Sequence, residues 1–303
     1  MASEDRGWSV KLSLVLPCYN AEGNLAACLD SLCRQSYENW ECICVDDGSI
    51  DGSGELLDRY ATRDSRFRVV HTGNGGVSAA RNRGISLSRG DYVGFVDADD
   101  TMDPTWLQGA VDSIEKSGAD LVRLEPLEKS CQNVVTARKC LQCGFAWLNF
   151  VRADVLKRMR NPFPVGMRLR EDTIFLLRVL SLAKTTYQIF LPGYQYRTNR
   201  TSAVYSEQRV VDFVRFVDEL RAVHVPLSRR DASIAIYKSF LWWRTQRGRF
   251  ERECVRLAED ALSRAERQAL FSRRYTPLLW WRGVVLADAY IWLRRAVNPK
   301  WLP

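Results

Sequence analysis

Histidine is almost absent from this chain: His71 and His224 are the only two in 303 residues. Cysteine is present but unarranged. There are nine, an odd number with no regular spacing, which argues against a disulfide framework and for a reducing compartment. Cys18, Cys28, Cys33, Cys42 and Cys44 fall on apolar segments, as buried thiols do. Cys140 and Cys143 form a lone C-x-x-C with Cys131 nearby. Without a second pair, and with so little histidine, they make a poor zinc site. Long apolar runs are missing as well. Between Trp280 and Val297 the charges of Arg282, Asp288, Arg294 and Arg295 interrupt each one, which argues against a spanning helix. The start, Met1-Ala2-Ser3-Glu4-Asp5-Arg6, lacks the basic-then-apolar layout of a secretory leader, so a cytoplasmic setting is the expectation. No internal repeat or low-complexity tract is present.

What is present describes an ordinary globular protein, 46% hydrophobic and 26% charged. The length suits one large domain, or one domain with a sizeable extension. A formal charge of +8 points toward anionic partners: sugar nucleotides, phospholipid surfaces or nucleic acid. The charge is uneven, with Asp concentrated in the first hundred residues and Arg after position 150, above all after 240.

Residues 11–124 alternate between two periods. Segments 11–16, 41–45, 68–70, 92–96 and 120–124 read as short apolar strands, while 22–33, 55–63, 77–88 and 104–116 carry helical spacing. Such alternation implies a mostly parallel sheet covered on both faces. Ligands of these sheets bind beyond the carboxyl ends of the strands. Three polar clusters stand at those ends and are expected to converge: Pro17-Cys18-Tyr19-Asn20, Asp46-Asp47-Gly48-Ser49 and Asp97-Ala98-Asp99-Asp100. Further on, 145–159 and 172–182 read as helices, and 205–303 as almost wholly helical.

The last cluster crowds three carboxylates behind one strand. They repel one another and cost desolvation energy unless a cation sits among them, and Mg²⁺ or Mn²⁺ suits such oxygen ligands. The plainer alternative is a polar turn, with Asp100 capping a helix that starts near Pro104. At Asp46-Asp47-Gly48-Ser49 the turn chemistry alone explains Gly and Ser, with Ser49 or Asp51 as an N-cap. A carboxylate there can also accept the imide N–H of a uracil ring. Gly73-Asn74-Gly75-Gly76-Val77-Ser78 approaches the dinucleotide pattern G-x-G-x-x-G. However, Ser78 replaces the last glycine and the motif opens the third strand–helix unit, which argues against nicotinamide binding. In the helix it opens, small residues allow close packing, and Arg81 is either a cation near the pocket or an exposed helix charge. Glu171-Asp172 begins a helix, where acidic residues suit the dipole; alternatively Asp172, backed by Glu171, is a general base at the mouth of the same pocket. Tyr194 to Ser202 mixes cations with hydroxyls, chemistry suited either to diphosphate oxygens or to a solvated loop.

Leu14-Val15-Leu16-Pro17-Cys18-Tyr19-Asn20, Val45-Asp46-Asp47-Gly48-Ser49, Gly76-Val77-Ser78-Ala79-Ala80-Arg81-Asn82 and Val96-Asp97-Ala98-Asp99-Asp100, in that order, resemble glycosyltransferase family 2 with its GT-A fold. The resemblance is specific over residues 11–124 and extends more loosely, through Glu171-Asp172 and Tyr196-Arg197, to about residue 205. It implies an inverting transfer from a nucleotide sugar, usually a UDP-sugar, with Mg²⁺ or Mn²⁺. By the same resemblance Asp47 contacts the base, Asp99 holds the metal and Asp97 lies on the nucleotide side. Pro17, Tyr19, Asn20, Asp46, Arg81, Ala98 and Arg197 complete the donor pocket, and Asp172 with Glu171 supplies the base. The stretch between Leu124 and Gly144 departs most from the family pattern.

The expected architecture is therefore an α/β chain: a GT-A type, mostly parallel sheet sandwiched by helices, followed by a helical C-terminal extension. Residues 1–204 form the catalytic domain, with a nucleotide-sugar half at 11–124 and an acceptor half at 125–204; residues 205–303 are helical, basic and Trp-rich. In that tail Trp242, Trp243, Trp280, Trp281, Trp292 and Trp301 stand among Arg244, Arg247, Arg249, Arg273, Arg274, Arg282, Arg294 and Arg295. The mixture suits a helix in the headgroup region of an anionic membrane, or a subdomain packed on the core. The expected acceptor is a surface polysaccharide or lipid-linked glycan at the inner face of the plasma membrane, and nucleic acid is not an expected partner. Two other functions fit parts of the sequence. Nucleotidyl transfer generally needs a basic Gly-rich first loop, and 17–23 contains neither Arg nor Lys. A membrane or nucleic-acid adaptor driven by the basic tail would leave the carboxylates incidental.

Overall fold

Strands buried on both faces read as continuous apolar runs, and Leu12–Cys18 (β1) has every residue but Pro17 buried. In a computed structural model of the chain, the described residues are 9–125, 135, 145–167 and 170–197, with 215, 216, 219, 222 and 223. β1 lies parallel to Trp40–Asp46 (β2) on one side and to Tyr92–Phe95 (β4) on the other. Phe67–His71 (β3) extends the sheet beyond β2. On the far side follow Asn149–Arg152 (β7), Leu121–Glu125 (β6) and Thr186–Phe190 (β8), giving the order β3-β2-β1-β4-β7-β6-β8. Only β7 runs against its neighbours. Thr101–Met102 (β5) and Tyr194–Gln195 (β9) form a separate antiparallel pair.

Helices cover both faces. Glu22–Cys33 (α1), Ser53–Arg63 (α2) and Trp106–Ser117 (α4) bury Leu25, Leu29, Leu57, Leu107 and Ile114 with Leu12, Leu14 and Leu16 of β1. On the opposite face Val77–Leu87 (α3) packs Ala80 against Ile43 and Val45. Gly84 makes that approach possible, since a Cβ there would run into the methyls of Val15. Ala153–Lys157 (α5) and Glu171–Leu182 (α6) follow β7. This is the mostly parallel, helix-covered sheet that the alternation implies. Cys18, Cys28, Cys42 and Cys44 are buried free thiols.

The structure corrects three local readings. Residues 145–159 are not one helix but a 3₁₀ turn at Ala146–Leu148, then β7, then α5. The run Phe150-Val151 is drawn into the sheet because burial between β4 and β6 outweighs a weak helical period. Second, α4 starts at Trp106 with Thr105 as its N-cap, so Asp100 caps nothing there. Third, α2 begins at Ser53 behind an N-cap at Gly52, so neither Ser49 nor Asp51 takes that place. The expected helices of 205–303 lie almost wholly outside the described residues, as do Cys131, Cys140 and Cys143.

Candidate active site

Because β1, β2 and β4 are adjacent and parallel, their carboxyl ends emerge on one edge, and the three polar clusters emerge with them. The loops after β1 and β2 are laced together. Asn20, Ala21 and Glu22 donate their backbone N–H groups to Ser49 Oγ, Ser53 Oγ and Asp51 Oδ2. In return, Asn20 Oδ1 and Glu22 Oε2 accept from the N–H groups of Ile50 and Gly52. Asn20 adopts a left-handed backbone (φ 49), a conformation its short amide side chain tolerates. Pro17 pairs with Val45 within the sheet, and Tyr19 stands 50% exposed at the rim.

Asp46 and Asp47 diverge from one backbone. Asp46 Oδ1 accepts from Ser49 N–H, and Oδ2 meets His71 Nδ1 at 2.9 Å. Burial pushes this carboxyl up, but the bonds from Ser49 and His71 outweigh it and hold the group below its ordinary range. Asp47 is buried, and its two oxygens accept from Gly75 N–H and Gly76 N–H, each at 2.8 Å. The glycine loop that mimics a dinucleotide motif thus spends its N-terminal donors on a protein carboxylate. One lone pair on each Asp47 oxygen remains for a base.

Arg81 organises the centre. Its guanidinium is buried, 5% exposed, and meets Asp97 Oδ1 at 2.9 Å, Asp172 Oδ1 at 2.5 Å and Glu171 Oε1 at 3.3 Å. The ring of Phe163 lies 5.2 Å beneath it, stacked in turn on Phe175 of α6. Asn82 exchanges bonds with the backbone of Phe163, so α3 grips the segment that leads into α6. Arg81 is therefore not an exposed helix charge but the buried link between the loop after β4 and the acidic pair. Arg170, immediately before that pair, takes a left-handed backbone with φ 66. Asp172 Oδ2 accepts the N–H of Ala146 at 3.0 Å. Three carboxylates face one cation, and the proton balance follows. Burial, then the Asp172 charge, pushes Glu171 up to about 8 despite Arg81. Asp172 is raised as well, first by burial, with Arg81 opposing and Asp97 reinforcing.

The carboxylates behind β4 divide their work. Asp100 is fully buried: its Oδ2 accepts from Tyr194 Oη–H and its Oδ1 from Arg197 N–H. It ties β9 to the strand end instead of capping a helix. Arg197 also donates to Asn24 Oδ1 of α1. Ala98 is buried. The Asp99 carboxyl is raised first by burial and then by Asp97, and among the described residues no other side chain hydrogen-bonds to it. Its own backbone N–H and the charge of Arg197 oppose that rise, and a raised carboxylate with no side-chain donor, set beside Asp97, fits a cation ligand. Among the described residues no cluster of three His, Cys, Asp or Glu groups could hold a metal by itself. Mg²⁺ and Mn²⁺ sites on phosphate substrates need no such cluster, since one or two carboxylates suffice when phosphate and water oxygens complete the shell.

Sequence reasoning missed the aromatic wall beside Asp172. Trp147 stacks on Tyr194 at 4.2 Å between ring centroids, and Phe145 and Tyr196 lie against its ring at 5.6 and 6.0 Å. The alternating aromatics at 145, 147, 194 and 196 were the available signal. The mistaken helix assignment over 145–159 hid half of it.

Residues 13–158 match the sequence profile described as glycosyl transferase family 2. The uncharacterized glycosyltransferase EpsJ of Bacillus subtilis (strain 168) is 32% identical over 213 residues, 63% of this chain. The chain spans 62% of that relative's length, less than two thirds. Among solved structures, S. aureus TarS 1-349 in complex with UDP-GlcNAc is similar at TM-score 0.68 and 20% identity, over 86% of this chain and 81% of that one. The mannosyltransferase PcManGT from Pyrobaculum calidifontis, in complex with GDP-Man and Mn²⁺, gives 0.58 at 16% identity over 97% and 88%. At these identities the structural likeness speaks for the fold alone. The profile match, the relative and the architecture agree with the four ordered motifs: residues 13–158 belong to glycosyltransferase family 2, and the described fold is of the GT-A type.

Proposed function

We propose that this chain is an inverting glycosyltransferase that moves a sugar from a UDP-sugar to a hydroxyl of a surface-polysaccharide or lipid-linked glycan acceptor. One observation carries the reading: Asp97, Glu171 and Asp172 meet on a single buried guanidinium, two positions from Asp99, whose carboxylate takes no side-chain hydrogen bond among the described residues. Asp172 takes the proton of the acceptor hydroxyl as its oxygen attacks C1 from the face opposite the diphosphate. Tyr19, Asn20, Asp46 and Asp47 shape the base end of the donor pocket, and Arg197 stands on its phosphate side. Asp99 would hold Mg²⁺ or Mn²⁺, which when bound supplies positive charge against the departing diphosphate. Fold neighbours in complex with UDP-GlcNAc, and with GDP-Man and Mn²⁺, support a nucleotide-sugar donor and a divalent ion.

A screen of UDP-, GDP- and dTDP-sugars for slow hydrolysis tests the reading, with turnover expected for a UDP-sugar in Mn²⁺. Losing even an outer partner of a metal ligand costs about 10–100-fold in metal affinity. Asp99→Ala should therefore weaken UDP binding in Mn²⁺ by at least about tenfold, and leave the weak metal-free binding unchanged, by calorimetry. No hydrolysis of any donor, with UDP binding indifferent to Mn²⁺, would sink the proposal.

Its membrane part rests on the Trp- and Arg-rich sequence of 205–303. Among the described residues no helix is long and apolar enough to cross a membrane. We propose peripheral attachment at the inner face of the plasma membrane, through Trp in the headgroup layer and Arg on anionic lipid. The full chain should co-sediment with phosphatidylserine-containing vesicles and be released by high salt. Equal recovery with neutral vesicles would discard the attachment.

A further inference from the structure

We propose that the acceptor presents a pyranose ring, and that this ring lies on a shelf formed by Phe145 and Tyr196 and backed by Trp147. The inference rests on Asp172 being the base, as proposed above. Phe145 is 43% and Tyr196 54% exposed, unusual for aromatic rings that already have packing partners. Their placement is fixed. Phe145 lies 22° and Tyr196 12° from the plane of Trp147, which is itself 11° from Tyr194. Tyr194 is anchored by its hydroxyl on buried Asp100. The result is a stepped stack whose two outer rings, Phe145 and Tyr196, are part-exposed.

Both ends of the shelf connect to the reacting groups. The peptide N–H between Phe145 and Trp147 belongs to Ala146, which donates to Asp172 Oδ2. Tyr196 precedes Arg197, whose N–H is bonded to Asp100 beside Asp99. A molecule resting on these rings thus lies along the path from the base to the carboxylate loop, where the attacking hydroxyl has to be. The chemistry selects the ligand. A pyranose has a flat C–H face that packs on the electron-rich face of an aromatic ring, and a rim of hydroxyls. An open-chain polyol has no flat face to offer.

Saturation-transfer NMR on the full chain with UDP and Mn²⁺ tests this, using methyl β-glucopyranoside, methyl β-galactopyranoside and ribitol as probes. At least one pyranoside should show transfer to its ring C–H protons, with ribitol showing far less. Phe145→Ala and Tyr196→Ala should each weaken the pyranoside roughly three- to tenfold, while Tyr196→Phe retains it. UDP affinity, read by calorimetry, should be unchanged in all three variants, which also shows that they fold. Ribitol binding as well as the pyranosides would overturn the shelf, as would both alanine variants keeping full affinity, or losing UDP along with the pyranoside. Wild-type donor hydrolysis is measured alongside. Its presence with a failed shelf leaves the transferase standing, whereas its absence for every donor defeats the transferase reading.

Discussion

Asp172→Asn is expected to lower turnover by at least ~100-fold while UDP affinity stays nearly intact, since a positioned general base contributes about 10²–10⁴-fold. Asparagine matches aspartate in shape, and its carbonyl oxygen can still accept from Arg81 or from Ala146 N–H. What disappears is the capacity to take a proton. The pH profile distinguishes that loss from simple misplacement. Burial raises the Asp172 carboxyl above its ordinary 3.8, with Arg81 opposing and Asp97 reinforcing. A base works only when ionised, so wild-type activity should fall as the pH drops through this raised value, above that of a solvated aspartate. In the variant the residual rate should lack that limb. Glu171→Gln fixes the neutral form that Glu171, pushed up to about 8, already favours at neutral pH. It should cost far less than Asp172→Asn. Full turnover in Asp172→Asn would remove this residue from the role.

Residues 11–124 were legible because each of their elements is specified locally. Apolar runs end in Asp-, Gly- and Ser-rich turns, and parallel pairing then has to bring those turns to one edge. Helix α1 matches its expected span, residues 22–33, and α3 differs by one residue. Residues 125–204 were less legible because their order depends on distant partners. β7 forms where Val151 meets both Val93 and Leu121, and β9 where Tyr194 meets Met102. No local period announces such pairings. The same holds within the site. That Asp100 would serve Tyr194 and Arg197, nearly a hundred positions away, is written nowhere near Asp100. Nor does the helix spacing around Arg81 reveal that acidic groups from two other segments will close over it. The carboxylate-rich motifs marked the site; which carboxylate faces a cation and which is a buried anchor is a tertiary fact.

Arg81→Ala should be the most damaging change to the folded state. Removing one member of a buried ion pair typically costs about 3–5 kcal/mol, because the remaining charge is stranded without water. Here Asp97 and Asp172 would be stranded together, with Glu171 held neutral beside them. The loss should depend on pH, and its sign can be worked out. Glu171 has an ordinary value of 4.5 and is pushed up to about 8 in the fold, so between those values the folded state binds more protons than the unfolded one. Its stability falls as the pH rises through that window, and is least affected below it. Without Arg81, which lowers both Glu171 and Asp172, the carboxyls rise further and the slope steepens. Urea midpoints should therefore separate wild type from Arg81→Ala more widely at pH 8.5 than at about pH 5.5, where protonation relieves the cluster. Adding Glu171→Gln to Arg81→Ala removes the cost of protonating Glu171 on folding and should recover part of the loss at the higher pH. Arg81→Lys restores a point charge but not the fork that reaches Asp97 and Asp172 at once, so it should stabilise without restoring turnover. An equal loss at both pH values, or no recovery in the double variant, would mean that Arg81 acts through packing on Phe163 and not as the counter-charge of the acidic cluster.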